Sequence, residues 1–177
     1  MTPHPKIEAQ THIPTPLGPL LAAATPQGLA GLWFDGQQHH PGAIDAPGRP
    51  DHPHLAAAAR VLAGYFHGDA MTLDARTWQQ SLPLDLHGTP FQRAVWQALL
   101  AIPAGRTSTY GAIAAQAGNA AAVRAAGAAI GRNPVSILVP CHRVLGRDGS
   151  LTGYAGGLPR KQALLQLESA QQAMIGA

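Results

Sequence analysis

The chain has 177 residues, 46% hydrophobic and 12% charged with a net charge of +3, which allows a buried core and argues against disorder. No apolar run approaches the length needed to span a bilayer, and the N-terminus lacks the basic-then-apolar order of a secretion signal, so a soluble, cytoplasmic protein is expected. The single cysteine, Cys141, excludes an internal disulfide and a zinc site built from several thiolates.

In chain order, residues 11–35 alternate short apolar runs with Pro-Leu-Gly and Pro-Gln-Gly turn signals and predict a hairpin or small antiparallel sheet. Gln37–Pro53, rich in Pro, Gly and His, predicts an exposed loop. His39, His40, His52 and His54 lie there without a cysteine or helical spacing, which argues against a metal site. Leu55, Ala59, Leu62 and Phe66 have the spacing of a helix. A short apolar segment at Leu82–Leu84 leads to His87-Gly88, where a domain boundary is placed: 1–86 and 87–177. The charge changes sign at the same point. Residues 1–86 carry four basic and seven acidic side chains, and residues 87–177 carry eight basic and two acidic ones, Asp148 and Glu168. A basic second half predicts contact with a polyanion, most simply a nucleic acid backbone.

That second half reads as mostly helical. Thr89-Pro90 starts a helix whose stripe is Phe91, Val95, Trp96 and Leu99, and Ile102–Gly105 ends it. Ser108 or Thr109 is expected to cap a second helix, Tyr110–Ala117. Asn119 is expected to cap a third, Ala120–Ile130, with Val123, Ala126 and Ile130 buried. The pair predicts a helix-turn-helix. The free face of the third helix is alanine and glycine with one arginine, Arg124, which suits close approach to a groove better than reading base edges; a tightly packed internal helix is the other reading. Ser136–Val139 predicts a buried strand or extended segment delivering Cys141 and His142 to its end. A thiol at its ordinary pKa of about 8.5 needs activation to act as a nucleophile. His142 is the adjacent base, to be brought to the sulfur by a turn or a bridging water. Asp148 lies in a turn and is expected to be solvated, whereas Glu168, following Leu164, Leu165 and Leu167 on the last helix, is expected to be partly buried. A Cys141–His142–Glu168 relay is one reading, and an inert buried cysteine is the other.

The sequence resembles the O6-alkylguanine-DNA alkyltransferase family. The resemblance rests on Pro140-Cys-His-Arg-Val144, Asn133-Pro-Val135, Gly153-Tyr-Ala-Gly-Gly-Leu158, Gly88-Thr-Pro-Phe-Gln92, Val95-Trp96, Gly105–Tyr110 and Arg124-Ala-Ala-Gly127. It spans the second half in order and, more loosely, the first half through Thr15–Pro19 and Gly31–Phe34. The resemblance implies an α+β protein with a small, ribonuclease H-like N-terminal α/β supporting domain and a helical alkyl-acceptor domain. It implies a single-turnover DNA repair enzyme without a cofactor, a monomer on double-stranded DNA carrying O6-alkylguanine, with contacts between copies along the DNA left open. In that family pattern Cys141 accepts the alkyl group, His142 and Glu168 remove the thiol proton, and Tyr110 protonates the departing guanine. Arg124 fills the gap left by the flipped nucleotide. Thr109, Tyr110, Ala122, Ala125 and Gly127 border the DNA, and Val144, Tyr154, Ala155 and Gly156 form the base pocket. Asn133 is the hinge between the helix pair and the active-site segment. Ala155 has no hydroxyl to offer O6, where some relatives have serine. A first half without cysteine does not support the zinc site of some relatives. A cysteine hydrolase would need an oxyanion hole and has no use for a basic helix pair. A DNA-binding regulator leaves Cys141, His142 and Glu168 unexplained.

Overall fold

The computed structural model describes residues 5–175, with side chains as far as Gln171. Three strands, β1 (Ala9–Ile13), β2 (Leu20–Thr25) and β3 (Gly28–Phe34), form an antiparallel sheet in the order β1-β2-β3. Every residue of β2 is buried, as a central strand covered on both faces requires. One face is covered by α1 (Pro53–His67), which buries Leu55, Ala58, Leu62 and Tyr65. His52 caps α1, its ring accepting the His54 N–H, and Gly68 closes the helix in the left-handed conformation. Two single-turn helices, α2 (Ala70–Leu73) and α3 (Ala75–Trp78), follow, each capped by an aspartate.

The outer edge of β3 is where the two halves of the sequence meet. Leu29 exchanges backbone hydrogen bonds with Pro83 and Asp85, and Leu32 does so with Pro134 and Ser136. The sheet therefore holds the segment that runs into Cys141. Beyond it lie α4 (Pro90–Leu100), α5 (Tyr110–Gln116) and α6 (Val123–Gly131), packed against one another, and the long α7 (Leu158–Ile175). Helix α4 opens with a reciprocal capping box between Thr89 and Gln92. Its Trp96 is buried and donates its indole N–H to the Ala129 carbonyl of α6 at 2.9 Å. A two-residue parallel pair, β4 (Ser108–Thr109) with β5 (Val144–Leu145), ties the start of α5 to the chain just after Cys141. The buried apolar residues of both halves form one cluster.

Several expectations need correction. Helix α6 begins at Val123, not Ala120, its N-cap position is Ala122 without a side-chain cap, and Asn119 closes a backbone turn instead. Val123 is exposed, and the buried side of α6 is Ala126, Ala129 and Ile130. Ser136–Val139 is buried but is no strand. Ile137 sits at φ 69°, and the backbone folds through Leu138 N–H to Ser136 O and Val139 N–H to Val135 O. A β-branched residue in that region is strained by roughly 1–3 kcal/mol. The Gln37–Pro53 loop is exposed over most of its length, but Gln37 and His52 are buried. The Gln37 amide oxygen accepts from Phe34 N and from Ser136 Oγ, so the loop is fastened to the active-site segment.

Candidate active site

Cys141 opens a single 3-10 turn, Cys141–Arg143, reached through the strained bend at Ile137. A turn replaces the strand here, and among the described residues no hydrogen bond joins the Cys141 thiol to the His142 ring. A strand would send Cys141 and His142 to opposite faces, whereas a tight turn places successive side chains around a short arc. Cys141 Sγ accepts a hydrogen bond from Asn133 Nδ2 at 3.1 Å. The same Asn133 amide donates to Val139 O and accepts from Val135 N, so one buried side chain shapes the bend and meets the sulfur. Burial pushes the thiol pKa up, while the Asn133 hydrogen bond and the Lys161 charge pull it down without cancelling the rise. The resting thiol is therefore protonated near neutral pH and requires a base.

Behind the thiol, His142 Nε2 lies 2.6 Å from Glu168 Oε1 on α7, and both residues are fully buried, Glu168 more deeply than its sequence position suggests. His142 Nδ1 has no hydrogen-bond partner among the described residues. With Nε2 donating to the carboxylate, Nδ1 is the free acceptor of the neutral ring. Burial lowers the His142 pKa against the opposing pull of Glu168, which keeps the ring neutral. Glu168 itself is held well below the usual carboxylate range: burial raises its pKa, but His142 and Arg143 outweigh that.

Arg143 was not among the expected site residues. Its Nε reaches Glu168 Oε2 at 2.9 Å, its Nη2 reaches Oε1 at 2.8 Å, and its Nη1 donates to Ile102 O. Lys161 was also missed. Buried on α7, it donates to the carbonyls of Val144, Thr152 and Gly153 at 2.5, 2.9 and 3.2 Å. Lys161, Leu164, Glu168 and Gln171 share the buried side of α7, so this helix turns a largely polar face inward. An apolar-stripe search passes over such a face.

Cys141 borders a cavity of about 330 Å³ whose walls are Tyr110, Gly127, Ala128 and Ile130 on the helix side and Gly153, Tyr154 and Ala155 opposite. Gln38 and His39, from the loop of the first half, complete its rim, and Gln38 N–H donates to Ala155 O at 3.0 Å. Tyr110 Oη donates to Thr152 O at 2.8 Å, and the Tyr110 ring lies where a Cβ on Gly127 would just touch it. Of the expected pocket residues, Tyr154 and Ala155 line the cavity, whereas Val144 and Gly156 do not. Val144 is buried behind it with its carbonyl on Lys161, and the Gly156 carbonyl accepts from Arg160. Thr109 caps α5, accepting from Ala112 N, while Arg124 and Ala125 are exposed on α6. Among the described residues, no cluster of His, Cys, Asp or Glu is arranged to hold a metal ion, and no helix is long and apolar enough to cross a membrane.

Residues 90–170 match the family model of the 6-O-methylguanine DNA methyltransferase DNA binding domain. The methylated-DNA–protein-cysteine methyltransferase of Mycobacterium tuberculosis is 44% identical over 159 residues, 90% of this chain and 91% of its own. The Salmonella typhimurium protein of that name is 56% identical over 107 residues, 60% of this chain and 59% of its own. The crystal structure of Mycobacterium tuberculosis OGT in complex with DNA is similar at a TM-score of 0.80 and 42% identity, covering 92% of this chain and 94% of that one. Similarity at this level along nearly the whole length, to relatives and to a solved structure alike, shows that the chain belongs to the methylated-DNA–protein-cysteine methyltransferase family.

Proposed function

We propose that the protein repairs O6-alkylguanine in double-stranded DNA by moving the alkyl group to Cys141, once per molecule. The observation that carries this reading is the chain's only cysteine at the edge of an open cavity, with the His142–Glu168 pair behind it. His142 Nδ1 takes the thiol proton, directly or through a bridging water. The thiolate attacks the saturated alkyl carbon, the S–C bond forms as the C–O6 bond breaks, and the electron pair leaves with guanine. Tyr110 supplies the proton that guanine gains, exchanging its present acceptor, the Thr152 carbonyl, for the base. Displacement at saturated carbon develops no tetrahedral oxyanion, so the site requires no oxyanion hole.

The guanine reaches Cys141 by leaving the stack, at a cost of a few kcal/mol that a poorly paired damaged base reduces. Helices α5 and α6 act as a helix-turn-helix, with α6 entering the minor groove. Exposed Arg124 fills the gap there, and Thr109, Tyr110, Ala122, Ala125 and Gly127 lie along the DNA. Asn133 links this pair to the active-site bend. Tyr154 and Ala155 cover the base, and contacts to O6 come from backbone groups. Duplex DNA carrying labelled O4-methylthymine tests whether that base is also a substrate. The first half, a ribonuclease H-like supporting unit in this reading, braces the second. The protein acts in the cytoplasm as a monomer.

The test is incubation with duplex DNA carrying O6-methylguanine labelled in the methyl group. About one label per protein, on Cys141 and absent in Cys141→Ala, is the expected result. Continued turnover would point to a hydrolase, and DNA binding without transfer to a regulator.

A further inference from the structure

Glu168 Oε1 accepts three hydrogen bonds, and one comes from the acidic first half of the chain. Tyr65, in the last turn of α1, donates its hydroxyl to that oxygen at 2.7 Å. The other donors are His142 Nε2 at 2.6 Å and Arg143 Nη2 at 2.8 Å. All four side chains are buried. Helix α1 is fixed against α7 at this point by Gln171, whose amide donates to the Tyr65 carbonyl at 2.7 Å.

We propose that Tyr65 is a positioning residue for alkyl transfer: by sharing Glu168 Oε1 with His142, its hydroxyl sets how strongly the imidazole is held and how basic Nδ1 becomes. The argument follows from what one carboxylate oxygen can offer. Each donor it accepts draws on the same negative charge and weakens its pull on the others. With Tyr65 in place, Nε2–H is held less tightly, so Nδ1 stays unprotonated further into acid. Burial, and then the Glu168 charge, push the Tyr65 hydroxyl well above the ordinary tyrosine range, so it remains a donor wherever the thiol reacts. The other charged and titratable groups acting on the His142–Glu168 pair are Arg143 from the turn, Lys161 from α7 and Tyr154 from the covering loop. None of them is altered by a change at Tyr65. A buried hydroxyl needs an acceptor in any case, and simple satisfaction of that need is the competing account. The proposal rests on the transfer reading above, and its test includes a readout independent of transfer.

Tyr65→Phe keeps the ring, which stands edge-on to Phe66 at 5.2 Å, and removes only the donor. The rate constant for labelled methyl transfer is measured against pH for both proteins, and His142 is titrated by NMR without DNA. In Tyr65→Phe the acid limb should move to higher pH by roughly half a unit to one unit, a fraction of one charged hydrogen bond, with the plateau nearly retained. The His142 titration should move the same way. Tyr65→Met, lacking both hydroxyl and ring, should shift the limb in the same direction. Superimposed profiles, or an even loss of rate at every pH with the His142 titration unmoved, would assign Tyr65 to packing and overturn the proposal. If wild type transfers no label while the His142 titration still shifts, the repair reading fails and the coupling stands.

Discussion

At the scale of single residues, Glu168 is the group on which the buried charges depend. It holds the Arg143 guanidinium by two hydrogen bonds and the His142 ring by one, all out of contact with water. Removing one partner of a buried ion pair leaves the other uncompensated, so Glu168→Gln should cost about 3 kcal/mol of stability in denaturant unfolding. The same substitution should change how stability depends on pH. The folded pKa of Glu168 lies below its unfolded value of about 4.3. Its contribution is therefore complete above that value and drains away as the pH falls toward the folded one. His142, kept neutral by burial, adds a loss that starts as the pH falls below its unfolded value of about 6.5. Unfolding curves taken at falling pH should show the glutamate part of this acid loss in wild type and not in Glu168→Gln. The pairing of His142 with Glu168 was legible in the sequence because acidic groups are scarce in residues 87–177, where only Asp148 and Glu168 occur. Arg143 and Tyr65 were not, since nothing in local spacing connects them to a carboxylate 25 and 103 positions away.

At the scale of elements, helix starts divide into those the side chains write and those the backbone makes. Thr89 and Gln92 satisfy each other's orphan groups at the head of α4. Thr89→Ala should cost about 1 kcal/mol. Asn119 stands where a cap is expected but contributes only backbone hydrogen bonds, to Ala114 and from Ala122. Asn119→Ala should therefore stay within about 0.5 kcal/mol of wild type, and thermal unfolding of the two variants side by side checks the contrast. The Ser136–Val139 segment failed for a different reason. A short apolar run reads the same whether it is a strand or a buried bend. The Asn133 side chain, which takes over the hydrogen bonds a strand neighbour would supply, decides for the bend.

At the scale of the whole molecule, the change of charge at residue 87 divides the sequence more sharply than the fold does. Leu32 pairs with the segment before Cys141, Tyr65 donates to Glu168, and the Arg160 guanidinium covers the Phe34 ring at 4.3 Å while donating to Leu17 O. One apolar cluster runs through both halves. The two should unfold together, in a single transition seen alike by near-UV and far-UV circular dichroism. Two separated transitions would show that the shared core does not couple them. Composition and turn signals made the sheet, α1 and the basic second half legible. The seam was not, because its hydrogen bonds are made by backbone groups that look the same in every sequence.

The Trp96–Ala129 hydrogen bond also gives the protein a built-in optical gauge. The indole is sealed from water, and its N–H ends on a carbonyl of α6, the helix proposed above to enter the minor groove. A displacement of α6 against α4 would alter that bond, and indole emission responds to such a change. Of the three tryptophans, Trp33 and Trp78 sit away from this contact on β3 and α3. Fluorescence from a protein retaining only Trp96 would therefore follow the seating of α6 in real time, with no dye attached.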